Sequence, residues 1–183
     1  MNKIVVLKGK QNTGKTTTIR LAYRMLLELL ENTPVSYLVK YNSYQYDRDW
    51  DDDFMDFTAI VDISDHIVVF HSPGDTKWFV DLLKEHLERP NMIIICATRD
   101  HGNHQTVIKL NELAVEYNYQ LDQVKKVEPS DMDNNDKACY LLNKIGKTLK
   151  EKLESPENLK NISNKQNNLL YKLADSLCSE KAG

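Results

Sequence analysis

The feature that most restricts this chain is the octet Gly9-Lys10-Gln11-Asn12-Thr13-Gly14-Lys15-Thr16, read together with its flanks. Before it, Lys3–Lys8 (K-I-V-V-L-K) is a short β-branched run suited to a buried strand. After it, Ile19, Leu21, Ala22, Met25, Leu26, Leu29 and Leu30 recur at helical spacing until Asn32 and Pro34 stop the pattern. A buried strand that turns through glycines straight into an amphipathic helix needs a sheet covered by helices. The expected class is therefore α/β with three layers.

The rest of the chain keeps up the alternation. Val35–Tyr41 reads as a second strand, and Asn42–Asp56 as a polar, acidic loop carrying Tyr44, Tyr46, Trp50 and the run Asp51–Asp53. Phe57–Ile63 and His66–His71 are β-rich and separated only by Ser64 and Asp65, a spacing that predicts an antiparallel hairpin. Ser72-Pro73-Gly74-Asp75 is a turn, and Thr76–Glu88 reads as a helix with Phe79, Leu82, Leu83 and Leu87 on one face. Met92–Ala97 (M-I-I-I-C-A) is a strand buried on both faces. A polar loop, Thr98–Gln105, leads to a helix ending near Tyr117, then a strand over Leu121–Val127 and a helix over Asp131–Leu153 capped by Ser130 or Asp131. Ser155-Pro156 marks a break. Residues 1–154 read as one domain, and 155–183 as a helical extension with Leu169, Leu170, Leu173 and Leu177 at helical spacing. That extension either packs on the same domain or meets a protein partner.

The octet fits G-x-x-x-x-G-K-[ST] without a mismatch, and each fixed residue has a physical task. Gly9 and Gly14 allow turns that a side chain blocks. The backbone N–H groups of Lys10, Gln11, Asn12 and Thr13 then point inward as an anion nest, and the helix that follows adds its positive end. Lys15 neutralises charge between β- and γ-phosphates, the Thr16 hydroxyl meets Mg²⁺, and Thr17 reaches the α-phosphate. A chance match is expected in roughly one chain in a hundred of this length, before the flanking strand and helix are counted. The expected fold is thus a P-loop NTPase-type domain with a mostly parallel sheet that includes an antiparallel hairpin, and the expected ligands are ATP and Mg²⁺.

The usual carboxylate partner is harder to place. His66–His71 ends in His71 and Met92–Ala97 runs into Thr98, so neither apolar strand has an acid at its tip. Asp75 is the nearest candidate for the metal and for catalysis; its alternative role is to cap the helix that follows. Asp65 lies at the wrong end of its strand. His71 is a switch-like residue or a packed polar one. Arg99, after the second apolar strand, is placed to stabilise a transferred phosphoryl group, or to pair with Asp100. Asp100, His101 and His104 have a spacing that metals can use, and Tyr44, Tyr46 and Trp50 are candidates for stacking on a base, although both patterns are common in ordinary loops.

Composition limits the partners. The net charge of −3 gives no sign of a general nucleic-acid binder. No apolar run approaches the ~18 residues of a membrane span, and no leader pattern opens the chain. Cys96, Cys139 and Cys178 are far apart with no C-x-x-C pair, which suits a reducing cytoplasm.

Lys10 gives the octet the form G-K-x-x-x-G-K-T, which resembles the deviant Walker A loop of partition and septum-site ATPases. In that class the second lysine reaches a partner's nucleotide across a dimer, so the resemblance implies a possible homodimer. It covers the loop with Thr17 and Thr18; Tyr41-Asn42 and His71 stand where those ATPases carry aspartates. Together with the octet, Ser72-Pro73-Gly74-Asp75 and I-I-I-C-A-T-R-D-H-G (Ile93–Gly102) resemble a group of uncharacterised bacterial and phage P-loop proteins with S-x-G-D and I-I-C-A-x-R-x-x-G motifs. That resemblance implies that the Ser72–Asp75 turn and the Cys96–Gly102 loop face the nucleotide. His101 and Asn103 depart from its pattern.

Three functions fit these residues. The first is a Mg²⁺-dependent NTPase or NTP-driven switch. The second is a small-molecule or nucleotide kinase, against which Arg48, Arg89 and Arg99 are too scattered for a phosphate clamp. The third is a non-catalytic nucleotide-binding module acting through a partner at the C-terminal helix. ATP is expected over GTP because Asn143-Lys144-Ile145-Gly146 lacks the aspartate of a guanine-reading loop.

Overall fold

The structure, a computed structural model, describes residues 2–10, 13–32, 39–46, 56–64, 66–74, 76–89, 91–99, 104–125, 133–155 and 164–179. Its centre is a six-stranded sheet in the order β2-β3-β4-β5-β1-β6. Strands β1 (Asn2–Lys8), β4 (His66–His71), β5 (Met92–Thr98) and β6 (Tyr119–Lys125) run parallel. β3 (Phe57–Ile63) pairs antiparallel with β4, and β2 (Val39–Tyr46) antiparallel with β3.

The fold is a three-layer α/β arrangement, and the alternation of side chains along each strand explains why. Val5, Leu7, Phe57, Ala59, Val61, Val68, Phe70, Ile93 and Ile95 point to one face. There they meet α1 (Lys15–Glu31), α5 (Asn134–Leu153) and α6 (Asn164–Ser179). Ile4, Val6, Val69, Met92, Ile94 and Cys96 point to the other face. They meet α2 (Lys77–Asp81), α3 (Lys84–Leu87) and α4 (Gln105–Glu116) through Val80, Leu83, Leu87, Leu110 and Leu113. Strands buried on both sides must be apolar throughout, which is why β5 has no polar interior residue. Each fully buried Ile or Val contributes about 1.5–3 kcal/mol.

Several local features differ from the sequence expectation. The second strand is Val39–Tyr46, so Asn42–Tyr46 is strand where a loop is expected, while residues 33–38 lie outside the described residues. The helix expected over Thr76–Glu88 is two short pieces. Between them, N–H groups reach back three residues rather than four (Leu83 to Val80, Glu85 to Leu82, His86 to Leu83), a tightening that breaks the α-helix. β6 begins at Tyr119 rather than Leu121. The last long helix begins at Asn134, where Asp133 and Asp136 form a reciprocal capping box. The expected caps Ser130 and Asp131 lie outside the described residues. In α6, Leu170, Leu173 and Leu177 enter the same core as α1 and α5.

Lys152, near the end of α5, is 2% exposed, and its Nζ donates to the Met92 carbonyl at 3.4 Å. Burial pulls its ammonium down to about 8 from the ordinary 10.5. The unfolded chain holds this proton more tightly between those values. The group therefore costs stability in full below pH 8, and the cost is relieved as pH rises toward 10.5. Lys152→Met is expected to raise unfolding free energy at pH 7 by about 1–3 kcal/mol. Urea titrations at pH 7 and pH 10 check this: the gain should be smaller at the higher pH.

Candidate functional site

The parallel strands converge at their C-terminal edge, and the chemistry-bearing side chains collect there. β1 runs into Gly9, whose N–H donates to the Thr98 carbonyl at the tip of β5, 3.2 Å away. This bond ties the start of the loop to the neighbouring strand. At the far end, Gly14 has φ 74° and ψ 23°, a left-handed conformation that costs a side-chain-bearing residue energy. A Cβ there would also stand 3.0 Å from the Asn134 side-chain oxygen at the start of α5. Thr18 holds the first helical turn through its N–H (2.9 Å) and hydroxyl (2.8 Å), both donating to the Gly14 carbonyl.

The described residues of the loop bond to one another. Lys15 is buried, and its Nζ donates to the carbonyls of Gly9 (3.0 Å) and Lys10 (2.6 Å). The Thr13 hydroxyl donates to the same Lys10 carbonyl at 2.8 Å. Both Lys15 bonds are charge-assisted, with the ammonium as donor and neutral backbone carbonyls as acceptors. Lys10 is exposed, Thr17 is half-buried on α1, and Gln11 and Asn12 lie outside the described residues.

Thr16 leads to the residue that the sequence did not indicate. Its hydroxyl donates to Asp56 Oδ1 at 2.9 Å. The Ser72 hydroxyl donates to the same oxygen at 3.1 Å and accepts from the Phe57 N–H at 2.9 Å. The Ser72 N–H returns a bond to the Phe57 carbonyl at 3.0 Å, extending the β3–β4 ladder by one pair. Asp56 immediately precedes β3. Because β3 is antiparallel to β4, its beginning, not its end, lies at the C-terminal edge of the parallel strands. The hairpin was the available signal: an acid just before its first strand belongs at this edge. An array of one carboxylate and two hydroxyls, all oxygen, suits a hard cation such as Mg²⁺.

Packing beneath this cluster is aromatic and cationic. Arg20, one turn along α1 from Thr16, is buried with its guanidinium 5.1 Å from the centre of the Phe57 ring. Tyr23 packs edge-on against Phe70 at 5.5 Å. On the other side of the turn, Gly74 lies so close to β5 that a Cβ would fall 2.1 Å from the Ala97 carbonyl oxygen.

The other expected site residues divide. His71 is buried within the sheet, its Nδ1 paired with the Thr58 hydroxyl at 3.0 Å. β4 is flanked by β3 and β5, so His71 lies in the interior of the sheet. Arg99 follows β5, and its N–H donates to the Thr106 hydroxyl at 3.4 Å. His104 caps α4, accepting from the Thr106 N–H at 3.3 Å. Asp75, Asp65, Asp100, His101, Trp50 and Asp51–Asp53 lie outside the described residues, as do the side chains of Tyr44 and Tyr46. Among the described residues, no three His, Cys, Asp or Glu side chains gather into a metal-binding group. Cys96 is fully buried, and burial pushes its thiol up to about 12, which makes it inert as a nucleophile. No described helix is long and apolar enough to cross a membrane. Comparison of the chain with protein-family models, curated proteins and solved structures finds no match.

Proposed function

We propose that this protein binds ATP with Mg²⁺ in the Gly9–Thr16 loop and acts as a Mg²⁺-dependent NTPase or NTP-driven switch. The carrying observation is the loop's form. It joins a buried parallel strand to α1 through a left-handed Gly14, with the Lys15 ammonium folded over the carbonyls of Gly9 and Lys10. A triphosphate entering the loop would exchange two neutral acceptors on Lys15 for anionic oxygens, while the start of α1 supplies its positive end. Thr16, the first-turn hydroxyl, is the expected metal contact. Mg²⁺ would neutralise charge on the β- and γ-phosphates. Arg99, at the tip of the strand bonded to Gly9, is a candidate for charge developing on the γ-phosphate. Lys10 is exposed, and its match to the second lysine of the deviant Walker A loop supports the homodimer reading. Three free thiols suit a reducing cytoplasm.

The test is ATP binding by calorimetry and phosphate release, each with and without Mg²⁺, for wild type and Lys15→Ala. Lys15→Ala is expected to weaken ATP binding and slow Mg²⁺-dependent release by about a hundredfold. Unchanged ATP affinity would remove the loop assignment. Equal phosphate release with normal binding would leave a nucleotide-binding module and remove the NTPase. Transfer to an added nucleoside or small alcohol in place of release would identify a kinase.

A further inference from the structure

We infer that Asp56, delivered by the start of an antiparallel strand and oriented by Ser72, is the carboxylate that fixes Mg²⁺ beside Thr16, in place of an acid at the tip of a parallel strand. The inference rests on the nucleotide reading above and deepens it at the same site.

None of the described parallel strands ends in an acid. β1 ends in Lys8, β4 in His71 followed by Ser72, β5 in Thr98 and β6 in Lys125. The sheet supplies the charge from one strand further out. β3 runs the opposite way, so its leading residue comes to the edge where the other strands end.

The hydrogen bonds there have a direction. A threonine hydroxyl has one proton and two lone pairs. Thr16 sends its proton to Asp56 Oδ1, which turns its lone pairs away from the carboxylate, and those lone pairs are what a cation needs. The 2.9 Å between the two oxygens matches the spacing of neighbouring positions around an octahedral Mg²⁺, about 3 Å for oxygens at about 2.1 Å. Asp56 can therefore hold its charge at the flank of the cation without rearrangement.

Ser72 acts as a positioning residue. It is 2% exposed, accepts from the Phe57 N–H, and has a single proton, which goes to Asp56. With one lone pair engaged by the backbone and its proton given to Asp56, the hydroxyl is held at two points and orients the carboxylate. Phe57, which follows Asp56, is held in turn by Arg20 over its ring. The carboxylate is thus supported from the strand, the turn and the helix.

The test measures ATP affinity of the full chain by calorimetry with and without Mg²⁺, for wild type, Asp56→Asn, Ser72→Ala and Asp75→Asn. Asparagine keeps an oxygen for Thr16 and Ser72 to bond and removes only the charge. Asp56→Asn is expected to bind metal-free ATP as well as wild type does, and to lose about tenfold or more of the strengthening by Mg²⁺. Ser72→Ala should lose part of it, with a matching weakening of Mn²⁺ binding read by electron paramagnetic resonance. Full Mg²⁺ strengthening in both Asp56→Asn and Ser72→Ala overturns the inference, as does its loss in Asp75→Asn alone. Wild-type binding of ATP without metal is read in the same titrations, so failure of the nucleotide reading is distinguishable from failure of the Asp56 assignment.

Discussion

Gly74→Ala should destabilise the protein by about 3 kcal/mol, lowering Tm by about 6–12 °C for a chain of this size. The added methyl would stand 2.1 Å from the Ala97 carbonyl oxygen and 2.6 Å from its carbon, where van der Waals contact needs more than 3 Å. Both obstacles are backbone of β5, a strand held between β4 and β1, so the turn must retreat rather than the strand. Ser72 is two residues away and belongs to the same turn. Its retreat would pull its hydroxyl from Asp56 and from the Phe57 N–H. The variant should therefore lose Mg²⁺ strengthening of ATP binding along with stability. Chemical denaturation and calorimetry on the same preparation check both; a stability within about 0.5 kcal/mol of wild type would contradict the close approach.

The second large effect is expected at Gly146, in the middle of α5. A Cβ there would meet the Ala174 carbonyl oxygen at 2.7 Å, the Leu177 Cβ at 2.9 Å and the Cys178 sulfur at 3.0 Å. The two helices approach this closely because one of them has no side chain at the crossing. Asn143 locks the same contact by donating from its side chain to the Cys178 carbonyl at 2.8 Å. Leucine is a better helix former than glycine by almost 1 kcal/mol, so Gly146→Leu gives α5 itself no reason to weaken. The expected loss of about 3 kcal/mol reports separation of α6 from the core. Hydrogen exchange should locate it, with protection falling in α6 before the strands. Uniform loss across the sheet would argue instead that α6 and the sheet unfold as one unit.

Legibility from sequence followed burial. β1 and β5 are buried on both faces and therefore apolar at every interior position, a pattern that needs no partner to recognise. The β3–β4 hairpin announced itself by the short Ser64-Asp65 gap. The part of β2 beyond Tyr41 did not, because Asn42, Ser43 and Gln45 sit in a strand at the edge of the described sheet, where periodicity carries little signal. The continuous helix expected over Thr76–Glu88 was a fair reading of its leucine spacing, but the tightened turn at Leu82-Leu83 leaves no trace in hydrophobicity. The loop octet was readable residue by residue because its constraints are local. Asp56 was not, because it stands just before the start of a strand and not at the end of an apolar one. Its relevance depends on the polarity of β3, a property of the assembled sheet.

The antiparallel entry of Asp56 makes this site a check on folding. In a parallel strand the acid and its strand share one unbroken ladder with the loop. Here the carboxylate depends on the pairing of Thr58 with His71 and of Phe57 with Ser72. A slip of one residue in that pairing turns every side chain of β3 to the opposite face. Phe57 would leave the core and Asp56 would leave Thr16, although the Gly9–Thr16 loop itself would be intact. A misregistered molecule would then keep the loop but lose both the core side chains of β3 and the carboxylate proposed for the metal, so stability and cation affinity should fall together.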